Sequence, residues 1–317
     1  CFAHHINPYD NPAGVLIDAH AHMWNRRMLP DLAVRNYMSP VLDIPEEERK
    51  KYGSLLDFDL ESNVPFADYD VKVEEPLETI RDNDMDYMVI LGTDFELIGP
   101  GRMTNEEYME WMFERCTVDD RFLPFISVDP NRGKESIDMI ERLVKRYDPK
   151  GIKVYPATGF LPSDVKLKGY WDKIDDLGLT VVTHAGMALP PLDEKYCHPS
   201  DFSKVAEDHP EMNIIIAHLG GKFHSELLPL MEKHGNIYTD CSALQGWAHD
   251  DRSMICKRIK AVSSRFPDRI VFGTDFPLYE STFSAMQFIR EIRDGDWGTE
   301  YQKSALLGKN MARLLGL

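Results

Sequence analysis

Val15-Leu16-Ile17-Asp18-Ala19-His20-Ala21-His22 decides how the rest of the chain is read. Three apolar residues lead into a His-x-His pair, the pattern of a buried strand that ends in polar groups. Successive side chains in a strand alternate faces, so Asp18, His20 and His22 are expected on one side and Ile17, Ala19 and Ala21 on the other. Two imidazoles then point the same way from a rigid backbone, a geometry that suits two nitrogen ligands on one metal ion. A lone His-x-His also arises at ordinary surface and core positions. Its meaning therefore rests on what the other strands end in.

Working outward, the next strand-like run is Asp86–Leu91, and 63 residues, Met23 to Met85, separate it from the first. That is too long for a plain connection in a compact domain. The stretch carries a charged helical candidate over 45–52 and an amphipathic one over 76–83, so residues 23–75 read as an inserted cap followed by the first barrel helix. Beyond it, Phe122–Val128, Gly151–Tyr155, Leu179–His184, Asn213–His218, Asn236–Asp240 and Arg269–Asp275 are short β-branched or aromatic runs of the kind that strands buried on both faces require. Helical candidates over 105–119, 134–146, 199–208, 225–234, 251–266, 281–293 and 301–315 fall between and after them. Eight strands alternating with helices predict an α/β fold of the (β/α)8 TIM-barrel type. No linker-like, repeated or low-complexity segment divides it, so 1–317 is expected to be a single domain.

The balance of 36 basic against 53 acidic residues gives a formal charge of −17, which repels phosphate backbones and argues against nucleic acid as a partner. A small-molecule substrate is the expected partner. No run reaches the length of a transmembrane helix. Five scattered cysteines without Cys-x-x-Cys spacing argue against a disulfide framework or a cysteine zinc site, and reduced cytoplasmic thiols are the expectation. Cys1 leaves a second localisation open, a lipid anchor on an amino-terminal cysteine.

The strand ends supply what the first stretch lacked. His20 and His22 end the first strand, His184 the fifth, His218 the sixth and Asp275 the eighth, each directly after an apolar run and before small residues, glycine or proline. Barrel closure would bring all five around one axis at the carboxyl face, where barrel chemistry resides. An unpaired histidine at a buried strand end is destabilising, so five metal-type groups at equivalent ends are hard to explain as packing. Asp240 and Ser242, at the end of the seventh strand, and Asp18 are candidates to hydrogen-bond the ligand shell. Trp24 and Phe276 flank ligand positions and are weak candidates to line an apolar pocket, while Arg26, Arg27 and Arg102 lie on loops of that face where a guanidinium can clamp a carboxylate.

Asp18-Ala19-His20-Ala21-His22, Gly151-Ile152-Lys153-Val154-Tyr155-Pro156, Thr183-His184-Ala185-Gly186, His218-Leu219-Gly220-Gly221, Gly273-Thr274-Asp275-Phe276-Pro277 and the ending Leu307 to Leu317 together resemble the amidohydrolase superfamily. More narrowly, they are similar to the amidohydrolase-related group that contains metal-dependent hydrolases and aminocarboxymuconate-semialdehyde-type decarboxylases. The resemblance implies that His20, His22, His184 and Asp275 hold a divalent metal, one zinc ion in the first instance, with manganese or a second metal as alternatives. It also implies that His218 stands beside the metal as an acid/base or carbonyl-polarising group. Three imidazoles and a carboxylate leave a position for water, whose pKa a metal lowers to about 7. Asp275 would then accept a proton from the attacking water and His218 would stabilise the developing oxyanion. In some binuclear members of the superfamily a lysine on the fourth strand is carbamylated and bridges two metals. In the single-metal group the resemblance gives it two roles, binding a substrate anion or pairing with a carboxylate, and Lys153 stands at that place.

The resemblance implies first a metal-dependent hydrolase acting on a small ester, lactone or amide-like substrate. The alternative on the same residues is a nonoxidative decarboxylase of a carboxylated aromatic or muconate-like compound. Some decarboxylases of the group carry glutamate at the first histidine, which this chain does not. A third reading, from another class, is a non-catalytic binding protein on the same fold. A homodimer is expected by analogy only.

Overall fold

Eight parallel strands form one sheet, in chain order, of a computed structural model that describes residues 14–28, 30, 58–59, 64–65, 71–99, 101–188, 191–247, 251–280 and 283–317. The strands are β1 (Ile17–Ala21), β2 (Tyr87–Leu91), β3 (Phe122–Ser127), β4 (Gly151–Val154), β5 (Thr180–Thr183), β6 (Ile214–Ile216), β7 (Ile237–Asp240) and β8 (Ile270–Val271). All eight expected strands are present, each shorter than the run read for it. The sheet curls until its edges meet: Ala21 bridges Phe276, the Ala19 amide donates to the Phe272 carbonyl at 2.8 Å, and the Asp275 amide donates to the His20 carbonyl at 2.7 Å. The barrel is thereby nearly closed and belongs to the (β/α)8 class.

Helices α1 (Glu74–Asp82), α2 (Asn105–Cys116), α3 (Lys134–Tyr147), α4 (Lys168–Asp176), α5 (Ser203–Asp208), α6 (His224–Lys233), α7 (Ser253–Ser263) and α8 (Ala285–Asp294) follow β1 to β8 in turn. Local chemistry sets their limits. Thr104 and Glu107 form a reciprocal capping box that starts α2, and Ser284 and Gln287 do the same for α8. Met139, Ile140 and Leu143 make the inward stripe of α3, and Asp148 ends that helix in a left-handed conformation. The sequence reading did not foresee α4, whose buried side is only Tyr170, Trp171 and Ile174 among nine mostly polar residues. The lead-in with Cys1, the helical candidate over 45–52 and most of the segment 23–75 read as a cap lie outside the described residues. Among the described residues no helix is long and apolar enough to cross a membrane.

Alternate strand residues divide the core in two. Ile17, Ala19, Val89, Leu91, Phe125, Val182, Ile215 and Val271 fill the barrel interior, while Leu16, Met88, Ile90, Ile152, Val181, Ile214 and Ile270 pack outward against the helices. Each such side chain contributes about 1.5–3 kcal/mol by leaving water. Met311 and Ala312 of the carboxyl-terminal helix join the interior cluster and plug the barrel at the amino ends of its strands. Gly308 makes that seat possible, because a Cβ there would stand 2.0 Å from the Val15 carbonyl oxygen. With that end plugged, a ligand's approach is from the carboxyl face.

The alternation breaks once, where it matters. The β1 register shifts between Asp18 and Ala21, and Ala19 packs inside the barrel whereas Ala21 packs outside. The expectation that Asp18 shares a face with His20 and His22 is therefore corrected: the irregularity separates them. Asp18 instead accepts bonds from the His20 amide (3.0 Å), the Thr274 amide (3.1 Å) and the Thr274 hydroxyl (2.5 Å), pinning the end of β1 to the segment after β8.

A second polar network fixes the loops after β2 and β3. Arg132 donates to both oxygens of buried Asp94 and to Glu96, and Asp94 also accepts from the Asp129 amide at 2.8 Å. Asp129 caps Asn131 at 2.7 Å through one oxygen, but its other oxygen is buried without a partner, the nearby Thr158 hydroxyl being given to the Tyr155 carbonyl. Burial raises the Asp129 carboxyl to about 6. A carboxyl whose folded pKa exceeds its unfolded value favours folding when protonated, so this contribution is lost as pH rises from the unfolded value through about 6. Asp129→Asn keeps an acceptor for the Asn131 amide and removes the buried charge. It should stabilise the fold at pH 7 by on the order of 1–3 kcal/mol and lose that advantage by about pH 4, as read from urea denaturation at the two pH values. An equal difference at both would contradict this account of Asp129.

Candidate metal centre

His20 and His22 enter the barrel mouth from the end of β1, and each has one ring nitrogen already committed. Nδ1 of His22 lies 3.0 Å from the Leu91 carbonyl, which only accepts, so that nitrogen carries the proton. Nδ1 of His20 lies 2.8 Å from Oδ2 of Asp240. Burial would push the Asp240 carboxyl upward, but His20 and the hydrogen bonds from His20 and Ser242 outweigh it and hold the group below the ordinary carboxylate range. Asp240 therefore accepts from His20. Both rings are left with a lone pair on Nε2, the tautomer that metal-bound histidines adopt when a carbonyl or carboxylate holds the other nitrogen.

Those lone pairs face a third acceptor. Oδ1 of Asp275 lies 3.3 Å from Nε2 of His22 and 3.5 Å from Nε2 of His20. Asp275 is buried, and the histidines around it hold its carboxyl below the usual range against the upward push of burial. The ligand atoms of His20, His22 and Asp275 all lie within 4.8 Å of one another. Two imidazole Nε2 atoms and a carboxylate oxygen that converge in this way make a donor set fit for a divalent cation.

A second group, His20, His218 and Asp240, is equally tight but filled. The Ser242 hydroxyl stands among the three, bonded to Asp240, 2.8 Å from Nδ1 of His218 and 3.2 Å from Nδ1 of His20. A cation has no room there.

Local backbone is arranged around these residues at some expense. His218 has φ 59° and Asp275 φ 60°, left-handed conformations that cost a non-glycine residue about 1–2 kcal/mol. The strain is offset by the bond from the His218 amide to Asp240 at 2.9 Å and that from the Asp275 amide to His20. Gly273 is needed for a related reason: a Cβ there would lie 2.7 Å from Cβ of His20 and 3.2 Å from Cβ of Ser242.

The remaining sequence candidates fall on different sides of this geometry. His184 is buried and beside the centre but outside the tight triad. Its Nε2 donates to the Met187 carbonyl at 3.0 Å, its Nδ1 lies 3.2 Å from Nε2 of His218, and its ring stacks on Tyr155 at 4.2 Å. Burial, aided by His218 and Lys153, pushes it well below the usual histidine value, so it is neutral. Lys153 is fully inside the barrel with Nζ 3.4 Å from Nε2 of His20, and burial brings its ammonium down to about 8. Trp24 lines the site, stacked on His22 at 4.8 Å with its indole N–H 3.4 Å from the Thr93 hydroxyl. Phe276 packs in the outer core instead, and its backbone closes the barrel against β1. Arg26 belongs to the single turn Arg26–Met28, and its side chain lies outside the described residues. Arg27 and Arg102 are exposed, joined by a 2.7 Å backbone bond. The sequence reading missed Tyr155, Thr93, Thr274 and the Leu91 and Met187 carbonyls. Tyr155 and Thr274 left a trace, as neighbours of Lys153 and Asp275 in the Gly-Ile-Lys-Val-Tyr and Gly-Thr-Asp-Phe-Pro runs.

The sequence matches the family model described as Amidohydrolase over residues 17–317. No curated protein matches it. Among solved structures, an uncharacterised TIM-barrel protein from Bordetella bronchiseptica is similar at 18% identity and a TM-score of 0.67, over 95% of this chain and 98% of the other. The 5-carboxyvanillate decarboxylase of Sphingomonas paucimobilis is similar at 15% identity and a TM-score of 0.62, over 96% and 99%. A candidate 2-pyrone-4,6-dicarboxylic acid hydrolase from Pseudomonas putida gives 15% identity and a TM-score of 0.62, over 95% and 97%. At these identities the structural likeness shows a shared fold. The family match, which spans nearly the whole chain, shows more: this chain belongs to the amidohydrolase family and is a metal-dependent hydrolase or decarboxylase.

Proposed function

We propose that the chain is a hydrolase of a small lactone, ester or amide-like substrate, with one divalent metal, zinc in the first instance, held by His20, His22 and Asp275 and completed from the side of His184. The observation that carries the reading is the convergence of two Nε2 lone pairs on the ionised Asp275 carboxylate, 3.3 and 3.5 Å away. A divalent cation there supplies Lewis acidity, which lowers the pKa of a water molecule from 15.7 to about 7. The protein's own groups do the rest. Asp275 accepts the proton of the attacking water as the new carbon–oxygen bond forms. The ester carbon–oxygen bond breaks, and the leaving oxygen collects the proton. His218 stands beside the centre as the acid/base group, and Trp24 forms an apolar wall against His22.

The lactone 2-pyrone-4,6-dicarboxylate is the first compound to assay, because a relative in fold is named for its hydrolysis. The zinc-loaded protein should open it, and Asp275→Asn should lower kcat by at least 10²-fold, the usual contribution of a positioned proton acceptor. Full activity of Asp275→Asn would remove Asp275 from this role.

One observation favours the decarboxylase reading: the amine of Lys153, buried 3.4 Å from His20, can hold a substrate carboxylate beside the metal triad. With 5-carboxyvanillate, the substrate named for another relative in fold, the hydrolase reading predicts no carbon dioxide. Sustained carbon dioxide release would reverse the two readings.

A further inference from the structure

We propose that Ser242 is a positioning residue, whose hydroxyl and carbonyl fix the ring tautomer of His218 so that Nε2 meets the substrate as a proton acceptor. The inference rests on the reading of His218 as the acid/base group and specifies the form in which it enters the reaction. Asp240 is the anchor. Its Oδ1 accepts from the His218 amide at 2.9 Å, from the Ser242 amide at 3.0 Å and from the Ser242 hydroxyl. A serine hydroxyl has one proton, and here it goes to the carboxylate, so Ser242 Oγ turns only lone pairs toward Nδ1 of His218 at 2.8 Å. The Ser242 carbonyl oxygen lies 3.3 Å from the same nitrogen, and a carbonyl can only accept. The hydroxyl oxygen at 2.8 Å is the acceptor that places the proton of His218 on Nδ1, and the more distant carbonyl adds a weaker pull in the same sense that does not hold the tautomer alone.

Nε2 of the neutral ring then bears a lone pair. It lies 3.2 Å from Nδ1 of His184, whose own proton is on the far nitrogen, donated to Met187. With Nε2 of His184 given to Met187, its Nδ1 is the nitrogen left to complete the metal centre, and Nε2 of His218 is the acceptor offered to the substrate beside it. That lone pair takes a hydrogen bond from a substrate or water O–H, orienting the water whose proton passes to Asp275, and cannot, in the resting state, donate to a developing oxyanion. On this proposal His218 acts as an acceptor rather than as the oxyanion donor expected from the sequence. Because Nδ1 of His20 reaches both Asp240 and Ser242, the same two residues orient a metal ligand and the acceptor, which fixes their relative placement.

The test is the two-bond proton–nitrogen spectrum of the zinc-loaded protein labelled with 15N-histidine, with His218 assigned by the signal missing in His218→Asn. The wild-type ring should show a protonated Nδ1 and an unprotonated Nε2. Ser242→Ala should move it toward the Nε2-protonated or a mixed form, and Ser242→Thr should restore the wild-type pattern. Zinc content should be unchanged in both, since His20 keeps Asp240. With 2-pyrone-4,6-dicarboxylate, Ser242→Ala should lower kcat about tenfold at constant KM, with recovery in Ser242→Thr. An Nε2-protonated His218 in the wild type, or the same tautomer in wild type and Ser242→Ala, overturns the proposal. Absence of lactone turnover with the tautomer as described would instead count against the hydrolase reading alone, so the two failures are distinguishable.

Discussion

Three buried acceptors that face one another repel until a cation stands among them, and most of the carboxyl face of this barrel is organised by that constraint. His20, His22 and Asp275 come from opposite ends of the chain, the first and last strands of the barrel, and meet only because the sheet closes. The closure itself is made by polar groups of the same region. Asp18 accepts from the backbone and hydroxyl of Thr274, and the Asp275 amide donates to the His20 carbonyl. Barrel seam and ligand triad are therefore one structure, and a change that loosens one loosens the other.

The polar residues around the triad differ in what they do. Asp240 is fully buried and fully used, its two oxygens shared among His20, His218 and Ser242. An ionised carboxylate this deep persists because both its oxygens meet donors. Lys153 is the counterpart with the opposite sign: burial weakens its hold on the proton, and its amine lies 3.4 Å from Nε2 of His20. That amine sets a group of opposite polarity beside the triad. Trp24 and the Tyr155–His184 stack add flat ring surface next to it.

The fold was legible because strand burial leaves a strong trace. Runs such as Ile214-Ile215-Ile216 and Val181-Val182 can hardly sit anywhere but inside, and eight of them alternating with amphipathic stretches leave few architectures. The triad was legible for a related reason, since His20, His22 and Asp275 end such runs. What the sequence hid was everything decided by backbone geometry. The slip in β1 that turns Asp18 away from His20 has no composition signal. Neither has the role of the Leu91 carbonyl in setting the His22 tautomer, because every residue has a carbonyl. Phe276 and Trp24 looked alike as aromatics beside ligand positions, yet Phe276 is buried in the outer core whereas Trp24 only packs against that core and stacks on His22. Helix α4 went unseen because three buried residues in nine carry too little periodicity.

The central claim is that the facing acceptors form a one-metal centre, and elemental analysis of protein purified without added metal or chelator tests it most directly. The account predicts one equivalent of zinc or another divalent ion per chain, lost when His20 or His22 is replaced by alanine. No bound metal would contradict it outright, and two equivalents retained with carbon dioxide bound on Lys153 would contradict the single-metal arrangement.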